Sequence, residues 1–252
     1  DQAEDPDETL LEADFESTPV GQYPAEWTKA GNSNQQVVDS PATSGDRALE
    51  LTGSSGGCWE AIADREAEIP DTGETEISFS IRPTTNGQTG CHNHNAAVGL
   101  RTATGSWNAG NGYELLNFHP DGTVSGAGAD LGSYQVDAWN DVTIRYTRSD
   151  GEVTLTYVIN GEQRATTTRD TRDFEDALSY FRVKSGEYTT QIDDLEIEHA
   201  DEDGPDQPGE EQPPEFGGQN YLNVTAQNSS GNPIEGAEIV LYDDSYALID
   251  SR

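Results

Sequence analysis

The stretch TGCHNHNAAVGLRT, residues 89–102, places one cysteine and two histidines within four positions. Cys91, His92 and His94 offer a thiolate and two imidazoles, which bind zinc, but a structural zinc site needs four such ligands. The only other cysteine of the chain is Cys58, in GGCWEA. Each cysteine begins a predicted strand, so we predict a Cys58–Cys91 disulfide. It closes a loop of about 34 residues and stabilises the fold by roughly 3–4 kcal/mol.

A second group of residues has the chemistry of sugar recognition. Aromatic faces stack on pyranose rings, and amides bind the hydroxyl groups of a sugar. In the Gly-rich loop ATGSWNAGNGY, Trp107 lies between turn-forming residues, where a large apolar side chain is hard to bury. The alternative is that this indole folds back onto the domain. The predicted ligand-binding residues are Trp59, Trp107, Tyr113, Asn117 and His119.

Short alternating runs predict the strands that hold these residues. In TEISFSIRP, residues 75–83, apolar side chains alternate with polar ones. The segment VTIRYTRSDGEVTLTYVINGEQRATTT has the same period and two hairpin turns, Asp150-Gly151 and Asn160-Gly161, which predicts a three-stranded meander. About a dozen short strands, with no helical period as long as three turns, predict an all-β chain of two stacked antiparallel sheets.

The charge of the chain bounds its environment and its partners. It has 48 acidic and 13 basic residues and a formal net charge of -35, and its only lysines are Lys29 and Lys184. Such a charge strains a compact fold at ordinary ionic strength, whereas molar salt shortens the screening length to roughly 3 Å. We therefore interpret the composition as an adaptation to high salt. It excludes nucleic acid and anionic membranes as expected partners, and no apolar run is long enough to insert into a membrane.

Changes in composition divide the chain into four segments. We predict a disordered acidic N-terminus over residues 1–9, a β-sandwich over 10–199, a Pro-, Gly- and acid-rich linker over 200–219 and a partial second β-sandwich module over 220–252. The sequons at Asn223 and Asn228 are glycosylation sites in proteins outside the cell. Together with the predicted disulfide, they favour an extracellular or cell-surface location, including the surface of a virus particle.

Several segments carry a family resemblance when taken in order along the chain. They are DFES, GDRALELTG, FSIRP, GYELLNFHPDGTV, AWNDVTIRYTRSDGEVTLTYVING and YFRVKSGEYTTQIDDLEIE. The region of about residues 10–198 resembles the concanavalin A-like lectin/glucanase fold in its laminin-G-like form. The resemblance implies a two-sheet antiparallel jelly-roll β-sandwich whose first and last strands pair. The tail segment GNPIEGAEIVLYD resembles the start of carboxypeptidase-regulatory-like or collagen-adhesin B-type modules, which are commonly stalks of surface proteins.

The paired terminal strands that this resemblance implies also predict a metal site. Asp14 and Glu16 of ADFES would approach Asp193 and Asp194 of IDDLE if the first and last strands pair. Calcium takes six to eight oxygen ligands, which carboxylates and carbonyls supply. We therefore predict structural calcium at Asp14, Glu16, Asp193 and Asp194, and no other cofactor.

Two kinds of enzyme share the jelly-roll fold. The related glucanases carry an E-x-D-x-x-E strand, and that string does not occur here. YFRVKSGEYTTQ is similar to the Y-x-K-x-G-x-Y segment of jelly-roll alginate lyases. That resemblance implies that Tyr188 takes part in proton transfer, with Arg101 and His119 on the neighbouring strands.

We therefore expect a non-catalytic carbohydrate-binding or adhesion module of a secreted or surface-displayed halophilic protein. Its partner would be a glycan or a surface polysaccharide. One alternative is a structural or assembly component of a surface appendage or virus fibre, with other protein chains as partners. The other alternative is a polysaccharide lyase with Tyr188, His119 and Arg101 as its catalytic residues.

Overall fold

A computed structural model gives the structure of the protein. It describes residues 8–31, 33–40, 45–53, 61–84, 95–104, 112–149, 152–170, 178–186, 188–200, 240–242 and 248–251. The chain divides into two compact units, Asp1–Asp206 and Gln207–Arg252. Every regular element among the described residues is a β-strand, so the predicted all-β class is confirmed. No helix in these ranges is long and apolar enough to cross a membrane.

The strands of the first unit are short, as the alternating sequence predicts. They are β1 (Glu8–Ala13), β2 (Trp27–Ala30), β3 (Asn34–Asp39), β4 (Arg47–Thr52), β5 (Ala61–Glu66), β6 (Glu74–Pro83), β7 (Ala96–Arg101), β8 (Gly112–Phe118), β9 (Thr123–Gly126), β10 (Ala129–Ser133), β11 (Asn140–Ser149), β12 (Glu152–Ile159), β13 (Glu162–Asp170), β14 (Tyr180–Ser185) and β15 (Thr189–Ala200). Strand β1 begins at Glu8, two residues inside the segment predicted to be disordered.

These strands form two antiparallel sheets. The first sheet has the order β13-β12-β11-β6-β15-β4-β3, and β1 also pairs with β15. The second sheet has the order β10-β9-β8-β7-β14-β5-β2. The first and last strands of the sandwich therefore pair, and the predicted jelly-roll β-sandwich is confirmed.

Alternation along the strands builds the core between the sheets. On β6, Ile77, Phe79 and Ile81 are buried, as the period of two predicts. The predicted meander is confirmed, because β11 pairs with β12 and β12 pairs with β13. The sheets approach closely at Gly126, where a Cβ atom would lie 2.9 Å from Cζ of Tyr157 in the first sheet. A side chain there would force neighbouring atoms apart.

The second unit contains two described strands, β16 (Val240–Tyr242) and β17 (Leu248–Ser251), which pair in an antiparallel sheet. Two strands are too few for a closed sandwich. The partial second module over 220–252 and the linker over 200–219 therefore stay predictions.

Candidate functional site

The second sheet has one apolar face and one polar face. On β14, Phe181 and Val183 belong to the hydrophobic core, so Arg182 and Lys184 point to the opposite face. We call this opposite face the outer face. The same alternation on the neighbouring strands assigns to the outer face Ile62, Asp64, Ala97, Arg101, Glu114, Asn117, Ser125, Asp130, Arg182 and Lys184.

An ion pair between two fully buried side chains lies at the centre of the outer face. Nε of Arg182 donates to Oδ1 of Asp64 at 2.5 Å, and Nη2 donates to Oδ2 at 2.9 Å. Both side chains are 0 % exposed. Nη2 also donates to the carbonyl of Ala103 at 3.3 Å. This two-point geometry fixes β5 against β14, and it compensates two charges that would be costly to bury alone.

A second ionic group lies beside this pair. Oε1 of Glu114 accepts hydrogen bonds from both Nη2 of Arg101 and Nζ of Lys184. Burial lowers the pKa of Arg101 and of Lys184, and the charge of Glu114 opposes this effect in each case. The carboxylate of Glu114 therefore binds two cations. Its side chain is 32 % exposed, which is more than that of Arg101 or Lys184.

A bulge in β8 determines which of its residues lie on the outer face. Val98 of β7 pairs with Leu116, but the next residue, Gly99, pairs with Glu114. Leu115 is therefore an extra residue, and both Leu115 and Leu116 lie in the core. As a result, Glu114 and Asn117 share the outer face although they are three positions apart.

Three polar atoms of this face are buried without a hydrogen-bond partner among the described residues. They are Nε of Arg101, Oε2 of Glu114 and Oδ1 of Asn117. Buried polar atoms in proteins nearly always have partners, and each exception calls for a physical explanation. The three atoms are one donor on β7 and two acceptors on the adjacent β8.

Beyond Asn117, the outer face ends in a cleft at the edge of the sheet. Asn117 pairs with Ser125 of β9, and Ser125 pairs with Asp130 of β10. The ring Nε2 of His119 lies 2.9 Å from Oγ of Ser125, within hydrogen-bond distance. The cleft has a volume of about 390 Å³ and is lined by His119, Thr123, Val124, Ser125, Gly128, Ala129 and Asp130.

The structure brings together some of the predicted ligand-binding residues. Asn117 lies on the outer face, and His119 lies in the cleft beside it. Tyr113 is part of β8, opposite Leu100, and its side chain is outside the described residues. The remaining predicted positions lie outside the described ranges, namely Trp59, Trp107, the disulfide pair Cys58 and Cys91, and the glycosylation sites Asn223 and Asn228.

Two of the three candidate lyase residues, Arg101 and His119, lie on the same side of the second sheet, and Tyr188 lies just after β14. Arg101 binds Glu114 on the outer face. Tyr188 follows β14 and is 9 % exposed, and its carbonyl oxygen accepts hydrogen bonds from Oγ of Ser185 at 2.7 Å and from the amide of Gly53 at 3.1 Å. Its backbone is therefore held firmly at the end of β14.

The predicted calcium residues lie where β1 meets β15. Asp193 is 0 % exposed, and a bulge follows it, because the register against β6 shifts between Asp193 and Glu196. Burial, opposed by a hydrogen bond from the backbone amide of Asp194 and assisted by the charges of Asp194, Glu16 and Asp14, raises the pKa of Asp193 to about 8. The charges of the other three acids therefore act on the carboxylate of Asp193.

These carboxylates do not form a complete metal site. Oε1 of Glu16 accepts hydrogen bonds from the amides of Asp46 and Arg47 at 2.7 and 2.8 Å. Oδ2 of Asp193 is buried without a partner, which suits a cation, but the described ranges hold no group of three or more His, Cys, Asp or Glu side chains placed to bind a metal. Calcium at this cluster stays a prediction.

Sequence reasoning missed Asp64, Glu114, Arg182 and Lys184. A signal was available for two of them, because Arg182 and Lys184 alternate with Phe181 and Val183 in a predicted strand. Such alternation places two cations on one face, in a chain with only 13 basic residues.

Comparison with solved structures agrees with this architecture. A carbohydrate esterase from the Shiga toxin-encoding bacteriophage phi24B superposes with a TM-score of 0.55 at 14 % identity, over 77 % of this chain and 99 % of the other. An endo-β-1,4-glucuronan lyase from the fungus Trichoderma reesei gives a TM-score of 0.55 at 12 % identity, over 77 % and 96 %. A sialidase gives 0.53 at 14 % identity, over 77 % of this chain but only 19 % of its own.

At such identities the similarity shows a shared jelly-roll β-sandwich fold and nothing finer. No protein-family model matches the chain. No curated protein matches it by sequence.

Proposed function

We propose that the first unit is a non-catalytic carbohydrate-binding module that holds a glycan on the outer face of the second sheet. The observation that carries the proposal is the group of three unpartnered buried atoms on Arg101, Glu114 and Asn117. A sugar that reaches these side chains would satisfy all three atoms, because its hydroxyl groups accept from the guanidinium and donate to the two oxygens.

The buried ion pairs make the proposed site rigid. Asp64 and Arg182 join β5 to β14, while Glu114 joins β8 to β7 and β14. Side chains that are locked before binding lose little conformational entropy when the ligand arrives. Two of the similar folds belong to a carbohydrate esterase and a glucuronan lyase, which act on carbohydrates themselves and so agree with a glycan as the ligand.

We also propose that the module works outside the cell, or on a cell or virion surface, in concentrated salt. The net charge of -35 supports this proposal, because only a high ionic strength screens such repulsion effectively. Adhesion to a surface polysaccharide follows if the module belongs to a longer surface protein. A chain that is folded in molar salt but binds no glycan would instead favour the structural or assembly role.

Replacement of Asn117 tests the proposed site with little risk to the fold. Since Oδ1 of Asn117 has no partner among the described residues, Asn117→Ala should keep the unfolding temperature of the wild type. A glycan-array screen of the full chain in molar salt should show binding by the wild type and about tenfold weaker binding by the variant, the effect of one lost hydrogen bond. Thr156→Ala on β12, in the first sheet, is the matched control and should bind normally. Equal binding by all three proteins would move the ligand away from this face.

A polysaccharide lyase is the second candidate, because Arg101, Asn117 and His119 occupy the same side of two adjacent strands. In this function Tyr188 is the residue that transfers a proton. Wild-type protein would then degrade a uronate polymer in molar salt, and Tyr188→Phe would lower the rate by about a hundredfold or more, the usual contribution of a general acid or base. The absorbance of the unsaturated product measures the rate. If folded wild-type protein yields no such product, the lyase function is excluded.

A further inference from the structure

A polar corner lies inside the sandwich, where β13 forms an edge of the first sheet. Thr167 of β13 pairs with Leu155 of β12, and Arg169 pairs with Val153. Leu155 and Val153 belong to the core. Cross-strand partners point to the same face, so Thr167 and Arg169 also face inward. The core side of this edge strand therefore carries a hydroxyl and a guanidinium where β12 carries apolar side chains.

The phenol of Tyr157 reaches from β12 into the same corner. The residue is 0 % exposed, and its ring lies against the backbone of Gly126 in the second sheet. Burial raises the pKa of Tyr157, whereas Thr167 and the charge of Arg169 lower it, so both of these side chains lie near the phenol hydroxyl. The hydroxyl oxygens of Tyr157 and Thr167 are nevertheless buried without a hydrogen-bond partner of normal geometry among the described residues. Two such oxygens side by side call for a bound partner.

The guanidinium of Arg169 supplies a positive charge at this corner. Its Nε donates to the carbonyl of Ala127 at 2.9 Å, in the turn that joins β9 to β10. A Cβ atom at Gly128 would lie 2.7 Å from Nη2, so the guanidinium packs against the same turn. Among the side chains that the structure describes, Arg169 makes no ion pair with a carboxylate. Its Nη groups can therefore donate to another acceptor.

This set of donors matches a small anion. The hydroxyls of Tyr157 and Thr167 can both donate, and the guanidinium of Arg169 can only donate. A halide ion accepts from several donors and needs no acceptor in return, whereas a water molecule also needs acceptors for its own two hydrogens. The charge of Arg169 favours the anion further. Because Tyr157 is fully buried and Arg169 is exposed, the corner suits a single-atom ion that enters from solvent past Arg169.

We propose that Tyr157, Thr167 and Arg169 bind a chloride ion between β13 and the turn that joins β9 to β10. The ion helps to join the sheets, since its ligands belong to the first sheet and Arg169 also holds a turn of the second. The site is separate from the outer face and does not depend on a glycan. It goes beyond the proposed adaptation to salt, because salt then stabilises the fold by filling a site as well as by screening charge. A dissociation constant of about 0.1 M would leave the site about nine-tenths filled in molar chloride.

Exchange of the anion tests this site. Thermal unfolding of the full chain would be recorded in molar potassium chloride and in molar potassium gluconate, whose anion is too large for a buried corner. In gluconate, Tyr157→Phe removes a hydroxyl that has no partner, so the variant should unfold at the wild-type temperature or above it. In chloride the same variant should unfold about 2–4 °C below the wild type, because it loses one ligand of the ion. Thr167→Val should behave in the same way.

The matched control is Thr156→Val. The hydroxyl of Thr156 lies 3.1 Å from that of Thr166, on the other side of the same two strands, so its loss should shift the unfolding temperature equally in both salts. Comparison of each variant with the wild type in the same salt cancels the general effect of the anion on stability. If Tyr157→Phe and Thr167→Val also give equal shifts in both salts, no chloride binds at this corner and the inference is wrong. The glycan site and the screening by salt would both stand.

Bromide provides a second measurement that needs no variant. Crystals of the full chain grown in molar potassium bromide should show an anomalous scattering peak within hydrogen-bond distance of the hydroxyls of Tyr157 and Thr167. A well-ordered corner without such a peak would overturn the inference, even if the variants fail to fold.

Discussion

Asp64→Asn should lower the free energy of unfolding by about 3–5 kcal/mol, the usual cost of removing one partner from a buried ion pair. The variant removes the carboxylate charge that binds the guanidinium of Arg182, at a position that is 0 % exposed. The amide keeps the shape of the carboxylate, so the loss reports the charge and not the packing. Thermal and denaturant unfolding at a fixed molar salt concentration measure the change.

A double variant separates the charge from the packing in this prediction. Asp64→Leu combined with Arg182→Met replaces both charges with apolar groups, and such replacements are often neutral for stability. We expect the double variant to recover most of the stability that Asp64→Asn loses. A loss below about 1 kcal/mol in Asp64→Asn would contradict the account, because it would mean that water reaches Arg182.

Asp193→Asn should change how stability depends on pH. The folded protein raises the pKa of Asp193 from 3.8 to about 8, mainly by burial. The folded state therefore keeps a proton that the unfolded chain loses, and wild-type stability falls as the pH rises from about 4 to about 8. At about 1.4 kcal/mol for each pKa unit, the loss amounts to roughly 6 kcal/mol. Asparagine stays neutral, so the variant should be the more stable protein at pH 8 and above.

The measurement is the difference in unfolding free energy between wild type and Asp193→Asn at a series of pH values, which cancels the titration of the other acids. A constant difference across the range would contradict the raised pKa. Calcium gives a distinct outcome in the same experiment. If added calcium at pH 8 stabilises the wild type and not Asp193→Asn, then a metal ion and not a proton balances this carboxylate.

The sequence predicts long strands better than short edge strands. Strands β6, β11 and β12 follow from strict alternation, since one face of each is buried. Strands β2 and β10 carry no such alternation. Each lies at an edge of the second sheet and is four or five residues long, and β10 contains Gly132 with a φ of 84°. Because each of these two strands has only one buried residue, its sequence shows no alternation of apolar and polar residues.

In the candidate site, the sequence pattern does not predict which residues pair across strands. Alternation places Arg182 on one face of its strand, but its partner Asp64 is 118 positions away. That pairing depends on strand order, which local periodicity does not contain. The bulge that brings Glu114 and Asn117 to one face is equally invisible, because Leu115 and Leu116 read as ordinary core residues.

The most direct test of the account is to map the glycan on the protein surface. Backbone amide chemical shifts of the full chain in molar salt would be recorded with and without the tightest oligosaccharide from the array. We expect the largest shifts on β7, β8 and β9, centred on Asn117, and we expect Asn117→Ala to need about tenfold more glycan to reach the same shifts. Shifts confined to the first sheet, or no shifts at saturating glycan, would contradict a glycan site on the outer face.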